Sequence, residues 1–171
     1  MELRLARKND LLKLNNLFDE IIADMYKKGI KIWHEIYPYC EFESDIQNKN
    51  LYILTENENI VATFCLFEDS NAKESFEWEN KNANAMYLSR LAVNVNFLRR
   101  GCGNIALNYA INIAKEKSAN FIRLFVAESN IPAIKFYEKN GFKKVSGQTS
   151  EYAEPFKCEI IEYAYEKRIN W

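Results

Sequence analysis

A single histidine, His34, and four cysteines in no metal-type spacing are the most telling shortages in this sequence. Cys40, Cys65, Cys102 and Cys158 are scattered and form no C-x-x-C pair, so neither a zinc cluster nor a redox dithiol is spelled out. A reducing, cytoplasmic setting is expected. Neither sign of charge is in excess: 23 basic against 24 acidic side chains leave a net charge of −1 and no electrostatic reason to expect a nucleic-acid partner. No apolar run approaches the roughly 18 residues that a membrane span requires. The start, Met1-Glu2-Leu3-Arg4-Leu5-Ala6-Arg7, has no signal-peptide shape, so no membrane partner is expected. Internal repeats, linkers and low-complexity tracts are also missing. What is there is an ordinary globular composition, 48% hydrophobic and 27% charged over 171 residues, which fits a single domain spanning residues 1–171.

Periodicity divides the chain into alternating elements. Glu2 to Arg7 alternates as a short strand, and Asn9 or Asp10 caps a helix whose apolar face is Leu11, Leu14, Phe18, Ile21, Ile22 and Met25, ended by Gly29. The aromatic stretch Ile32 to Tyr39 contains Pro38 and reads as irregular, and Ser44 to Lys49 reads as a short helix. Leu51–Thr55 and Ile60–Phe67 are strands joined by Glu56-Asn57-Glu58-Asn59. Glu68 to Asn84 is a polar surface loop in which Phe76 and Trp78 are expected to fold back over something. Ala85–Asn94 is the central strand, followed by a helix to Lys117 and by the strand Phe121–Val126, interrupted only by Arg123. Asn130 and Pro132 open a further helix that Gly141 stops. Phe142–Gln148 and Phe156–Tyr165 form a closing pair of strands. The order βααβββαβαββ predicts an α/β (α+β) fold, a mixed sheet with helices on its faces.

Chemistry concentrates at Arg99-Arg100-Gly101-Cys102-Gly103-Asn104, which lies between the strand ending Leu91-Ala92-Val93 and the helix opening at Ile105. The first turn of a helix leaves backbone N–H groups without partners and favours negative charge. Two glycines permit close approach and positive φ, and the arginines add donors suited to phosphate. The turn therefore reads as a pyrophosphate cradle. It is not a P-loop, because no lysine and hydroxyl pair follows Gly103. A dinucleotide fingerprint with Ala106 in its third position stays open, although that motif belongs to the first βα unit of its fold. Cys102 sits where a thiol pKa would fall, yet the lone histidine that could serve as its base is remote in sequence.

Two motifs together resemble the GNAT superfamily of N-acetyltransferases. One is Leu91-Ala92-Val93 followed by Arg100-Gly101-Cys102-Gly103. The other is Asn130-Ile131-Pro132-Ala133-Ile134-Lys135-Phe136-Tyr137-Glu138-Lys139-Asn140-Gly141-Phe142, similar to the family's N-x-x-A-x-x-F-Y-x-x-x-G-F signature. Trp33 to Pro38 also resembles a W-x-x-x-Y-P segment of some bacterial members. The resemblance implies a mostly antiparallel twisted sheet of about six or seven strands flanked by about four helices. It implies acetyl-CoA as co-substrate, with its pyrophosphate on the N–H groups of Arg100, Gly101, Cys102, Gly103, Asn104 and Ile105, beside Arg99. The pantetheine arm would lie along Leu91, Ala92 and Val93, and an N–H near Leu91 or Ala92 would polarise the thioester carbonyl. Asn130 would hold the arm, and Tyr137 would protonate the departing thiolate. Where the family carries a second Gly or Ala, this chain has Ile105, which narrows the approach to the phosphates.

The expected activity is acetyl transfer from acetyl-CoA to a primary amine, small molecule or peptide, by direct attack. No covalent enzyme intermediate and no metal are needed. A catalytically silent acyl-CoA-binding module is the alternative, and a homodimer is compatible with the resemblance. The general base is open among Glu35, Glu77, Glu79, His34 and a water relay. For Phe136 and Phe142 the plain expectation is core packing.

Overall fold

The structure is a computed structural model and describes residues 1–169. Its strands are β1 (Glu2–Leu5), β2 (Leu51–Glu56), β3 (Asn59–Phe67), β4 (Ala85–Val93), β5 (Phe121–Ala127), β6 (Lys143–Lys144), β7 (Thr149–Ala153) and β8 (Cys158–Arg168). The helices are α1 (Leu11–Lys27), α2 (Tyr39–Gln47), α3 (Cys102–Glu116) and α4 (Ile131–Lys139). Strand order is β1-β2-β3-β4-β5-β8-β6, with β7 on β8; the β1–β2, β2–β3, β5–β8, β6–β8 and β7–β8 ladders are antiparallel and the β4–β5 ladder is parallel. Among the described residues the mixed, largely antiparallel sheet with four helices matches the expected architecture, with eight strands rather than six or seven. The extra strand arises at the C-terminal end. Instead of one strand over 142–148, only Lys143–Lys144 pairs with β8, and β7 makes the hairpin with β8 that the sequence assigned to that stretch.

Two compact units divide the chain, and β4 contributes to both. The first comprises Met1–Leu66 and Ser89–Ala110. Its β2–β3 hairpin turns through Asn57 and Glu58, at φ 48° and 66°, the left-handed pair that a two-residue hairpin loop demands. Helix α1 buries Leu14, Leu17, Phe18, Ile21 and Ile22, and Phe18 meets Phe42 of α2 edge-on at 4.9 Å. Asp10 does precede α1, but its carboxylate does not cap that helix. It accepts a two-pronged bond from Arg4, both arms 2.8 Å, and one from the Arg7 N–H at 2.7 Å, tying β1 to the start of the helix. Helix α2 begins directly after Pro38, five residues ahead of the expected Ser44, because proline is tolerated at a helix start and hinders only an interior turn.

The second unit comprises Phe67–Leu88 and the chain from Ile111 onward. Residues 85–88 of β4 pair with 121–124 of β5, and β5 pairs with β8 along its whole length. Phe76 and Trp78 of the long polar segment do fold back. They are buried in a cluster with Ala85, Tyr87, Phe121, Val145 and Ala164. The Trp78 indole N–H is satisfied by the Lys73 carbonyl at 2.6 Å, which lets a large amphipathic ring be buried without an orphaned donor.

Candidate active site

The glycine turn belongs to the first unit. Its approach is pinned to β3: the Asn94 N–H donates to the Val61 carbonyl and its side-chain amide to the Ile60 carbonyl, both at 2.9 Å. Asn94 also accepts from the Asn96 N–H at 2.9 Å, which starts the short helical turn Val95–Phe97. The chain then takes positive φ at Arg99 (61°) and Gly101 (79°) before α3 begins at Cys102. Gly103 is already helical, so the second left-handed position falls on Arg99 and not on a glycine. The Ile105 N–H donates to the Gly101 carbonyl at 3.1 Å and so closes the first helical ring. Donors aimed out of the helix end thus lie before Ile105, at Cys102 and Gly103 by helix geometry. Arg99, Arg100, Gly101 and Asn104 are exposed, whereas Cys102 packs inward and is buried. Arg100 stacks on Phe97, 4.7 Å from its ring centroid, and donates to Glu56 at 3.2 Å, an exposed and therefore weak pairing.

Ahead of the turn, β4 carries an irregularity that sequence reading did not find. Arg90, mid-strand, has φ +49°, and its buried guanidinium donates to the buried carboxylate of Asp45 on α2. The second arm of the fork reaches the Tyr37 hydroxyl at 3.4 Å. Asp45 also accepts from the Cys65 thiol of β3 at 3.5 Å, and Thr63 of β3 donates its hydroxyl to the Arg90 carbonyl at 3.4 Å. Burial raises the Asp45 carboxyl above the ordinary carboxylate value, and the facing Arg90 charge opposes that rise. Burial pushes the Cys65 thiol up to about 12, so it stays protonated and serves as the donor. Of the expected acyl-binding stretch, Ala92 is buried and Leu91 and Val93 are half-buried.

Helix α4 lies in the second unit and starts as its sequence dictates. The Asn130 side chain accepts from the Ala133 N–H at 3.3 Å, an N-cap bond that leaves the amide NH₂ for other partners. Tyr137 is the buried position of this helix, its ring packed edge-on against Phe136 and Phe142 at 5.4 and 5.5 Å. Phe142 is core as expected, while Phe136 is only half-buried. Burial raises the Tyr137 hydroxyl far above the usual phenol value, so the group carries its proton throughout the neutral range.

Of the candidate bases, His34 and Glu35 belong to the first unit and Glu77 and Glu79 to the second. Glu35 is exposed, and His34 is half-buried, its Nδ1 accepting from the Ile36 N–H at 3.3 Å, beside Trp33, whose ring packs on Phe18 at 5.3 Å. Glu77 and Glu79 line a cleft of about 580 Å³ in the second unit, together with Lys143, Lys144, Glu166 and Arg168. There Glu77 pairs with Lys81 at 3.3 Å and Glu79 with Arg168. Among the described residues no group of three His, Cys, Asp or Glu side chains could ligate a metal, and no helix is long and apolar enough to cross a membrane.

The element order, the basic turn feeding α3 and the Asn-capped α4 with its buried tyrosine define the fold class of the CoA-dependent acyltransferases. The model of the acetyltransferase (GNAT) family matches residues 14–142, three-quarters of the sequence, and the chain belongs to that family. Solved structures agree. A Staphylococcus aureus Mu50 protein assigned as an acetyltransferase is 26% identical over 99% of this chain and 100% of that one, with a TM-score of 0.74. A GNAT-family acetyltransferase from Streptococcus agalactiae 2603 shares 19% identity over 99% and 96% of the two chains at a TM-score of 0.82. The yncA protein from Salmonella typhimurium, solved with its cofactor acetyl-CoA, shares the fold at a TM-score of 0.71 and 12% identity over 100% and 95% of the chains.

Proposed function

We propose that residues 1–171 act as one N-acetyltransferase domain, moving the acetyl group of acetyl-CoA to a primary amine by direct attack. The observation that carries this reading is the turn over residues 99–105. Positive φ at Arg99 and Gly101 delivers the chain into the first turn of α3 with an exposed Arg99, Arg100 and Asn104 around it, a backbone shaped to receive a diphosphate. In this reading Arg99, Arg100, Gly101, Cys102, Gly103 and Asn104 grip the pyrophosphate of the substrate. Ile105 closes the helix behind them and contributes contact rather than its N–H. Leu91, Ala92 and Val93 run beside the pantetheine arm, and the Asn130 amide donates to it.

The amine lone pair attacks the thioester carbonyl carbon while a backbone N–H at Leu91 or Ala92 stabilises the developing oxyanion. The C–S bond breaks, the thiolate takes the Tyr137 proton, and the amine gives up one proton to a base or a water chain. The acetyl-CoA held by the Salmonella relative supports the choice of donor. The acceptor is an amine of a small molecule or peptide, and a cytoplasmic setting fits the free cysteines.

The test combines thermal denaturation in the presence of acetyl-CoA, CoA, ATP and NAD with thiol release from acetyl-CoA across a panel of amines. Stabilisation by acetyl-CoA and CoA, with thiol release on at least one amine, is expected. Stabilisation by ATP or NAD without CoA overturns the donor, and acetyl-CoA binding with no thiol release on any amine overturns the transfer in favour of a silent acyl-CoA sensor.

A further inference from the structure

A buried ion pair is weak evidence for stability, since well-packed apolar residues commonly do as well in its place. The Arg90–Asp45 pair is accompanied by a second unusual feature, the left-handed backbone of Arg90 inside a strand. A residue with a side chain holds that conformation only where its surroundings impose it. Here they do so at both ends of the residue. The guanidinium is fixed by Asp45 of α2 and by Tyr37, and Asp45 is in turn steadied by the Cys65 thiol of β3. The carbonyl is fixed separately, by the buried Thr63 hydroxyl at 3.4 Å.

That carbonyl and the N–H of Leu91 belong to one planar peptide unit. In a trans peptide the two point in opposite directions, so a carbonyl drawn toward β3 aims the Leu91 N–H away from β3. The side-chain pair and the threonine thus set the direction of a donor on the far edge of β4. We propose that Asp45 and Arg90, with Thr63, are positioning residues for acyl transfer. They lock the kink in β4 so that the Leu91 N–H, followed by that of Ala92, meets the thioester oxygen. This inference rests on the reading of the chain as an acetyl-CoA-dependent transferase. It adds residues from α2 and β3 to a function otherwise written on the turn and on α4.

Preorganised donors act through their direction, so loss of the pair alters polarisation of the carbonyl more than it alters grip on the nucleotide. The experiment follows the carbonyl stretch of acetyl-CoA carrying ¹³C at the thioester carbon, bound to wild type and to the variants Asp45→Asn, Arg90→Gly and Thr63→Val. Glycine takes positive φ freely, so Arg90→Gly removes the clamp without adding backbone strain. The double variant Asp45→Asn/Arg90→Gly leaves no uncompensated buried charge and carries the test if a single variant fails to fold. Ile53→Val in the core of the same unit serves as a destabilised control.

Wild type is expected to lower the carbonyl frequency on binding, and the control to leave it lowered. The Asp45 and Arg90 variants should return it toward the value of free acetyl-CoA. With an amine that is turned over, kcat should fall at least about tenfold while KM for acetyl-CoA stays within about threefold. A carbonyl band that stays lowered in folded Arg90→Gly or in the double variant overturns the positioning role and leaves the transferase reading intact. Failure of wild type to bind acetyl-CoA at all overturns that reading, and the inference with it.

Discussion

Arg123 and Glu166 stand directly opposite one another in the β5–β8 register, and the Arg123 Nε donates to Glu166 Oε2 at 3.2 Å with both side chains buried. The pair does more than join two strands. Arg123 also donates to the Asn80 carbonyl at 2.6 Å and to the Tyr87 hydroxyl at 3.3 Å, and lies 4.4 Å from the Trp78 ring centroid. Glu166 accepts from the Glu79 N–H at 2.7 Å. The long polar segment after β3 is therefore held at Trp78, Glu79 and Asn80 by one ion pair in the sheet.

Removing one partner leaves the other charge buried without compensation. Glu166→Ala should cost about 3–5 kcal/mol in urea denaturation and expose residues 68–84 to protease before the rest of the chain. Arg123→Met combined with Glu166→Leu should recover only part of this, because the Glu79 N–H and the Asn80 carbonyl stay orphaned. A cost below about 1 kcal/mol for Glu166→Ala would show that the segment is held by Phe76 and Trp78 alone.

Gly147 meets the same segment at Ser75 and Phe76. It adopts φ +110°, and a Cβ there would stand 2.6 Å from the Ser75 carbonyl oxygen, beside the bridge between Glu77 and Ser146. Gly147→Ala is expected to destabilise by about 2–3 kcal/mol through backbone strain together with that clash. An unchanged melting temperature would contradict the close approach.

Gly103 tests the phosphate grip without disturbing the turn. The residue is helical, where valine is no worse than glycine for the backbone, so Gly103→Val should keep the melting temperature of the free protein. Bulk at the helix mouth should nevertheless weaken CoA at least about tenfold, roughly 1.4 kcal/mol, by calorimetric titration. Equal affinity would remove the cradle from the proposed function.

Tyr137→Phe keeps the aromatic packing on Phe136 and Phe142 and removes only the hydroxyl. Turnover should fall about a hundredfold with little change in acetyl-CoA affinity. A parallel loss of both would mark Tyr137 as a packing residue.

Alkaline pH supplies a fifth check. Burial raises the Tyr137 hydroxyl, and burial with a 3.2 Å bond to Glu138 pushes Tyr165 up to about 12. In the unfolded chain a tyrosine ionises near about 10. Above that value the unfolded state has released protons that the folded state still binds, so the stability present below pH about 10 declines as pH rises toward the folded values. Urea midpoints should drop between about pH 10 and pH 12 on this account, and less steeply in Tyr137→Phe. Equal slopes in the two proteins would contradict a buried, protonated Tyr137.

Much of the candidate site was legible because it is written locally. Asn130 with Pro132 announces its own helix, Gly141 ends it at φ +81°, and the basic glycine turn sits between a strand and a helix that periodicity alone reveals. Gly103 was misjudged as a left-handed position because spelling does not say where a helix begins; the closure of the Ile105–Gly101 ring does. The closing strands were misread for a related reason. Lys143–Lys144 and Thr149–Ala153 owe their strand state to β8 rather than to their own composition.

By itself, then, the sequence determined the element order as far as α4, the family and the turn and capped helix that bear its motifs, since these depend on residues within a few positions of one another. Only the tertiary structure decided which charges are buried and what they hold. Asp45 lies 45 residues before Arg90, and Arg123 lies 43 before Glu166, so no local pattern links either pair. Arg123 reads as a lone interruption and Arg90 as the one charge of a largely apolar strand until the sheet and α2 bring each its carboxylate, because a charge can enter a dry interior only with its partner.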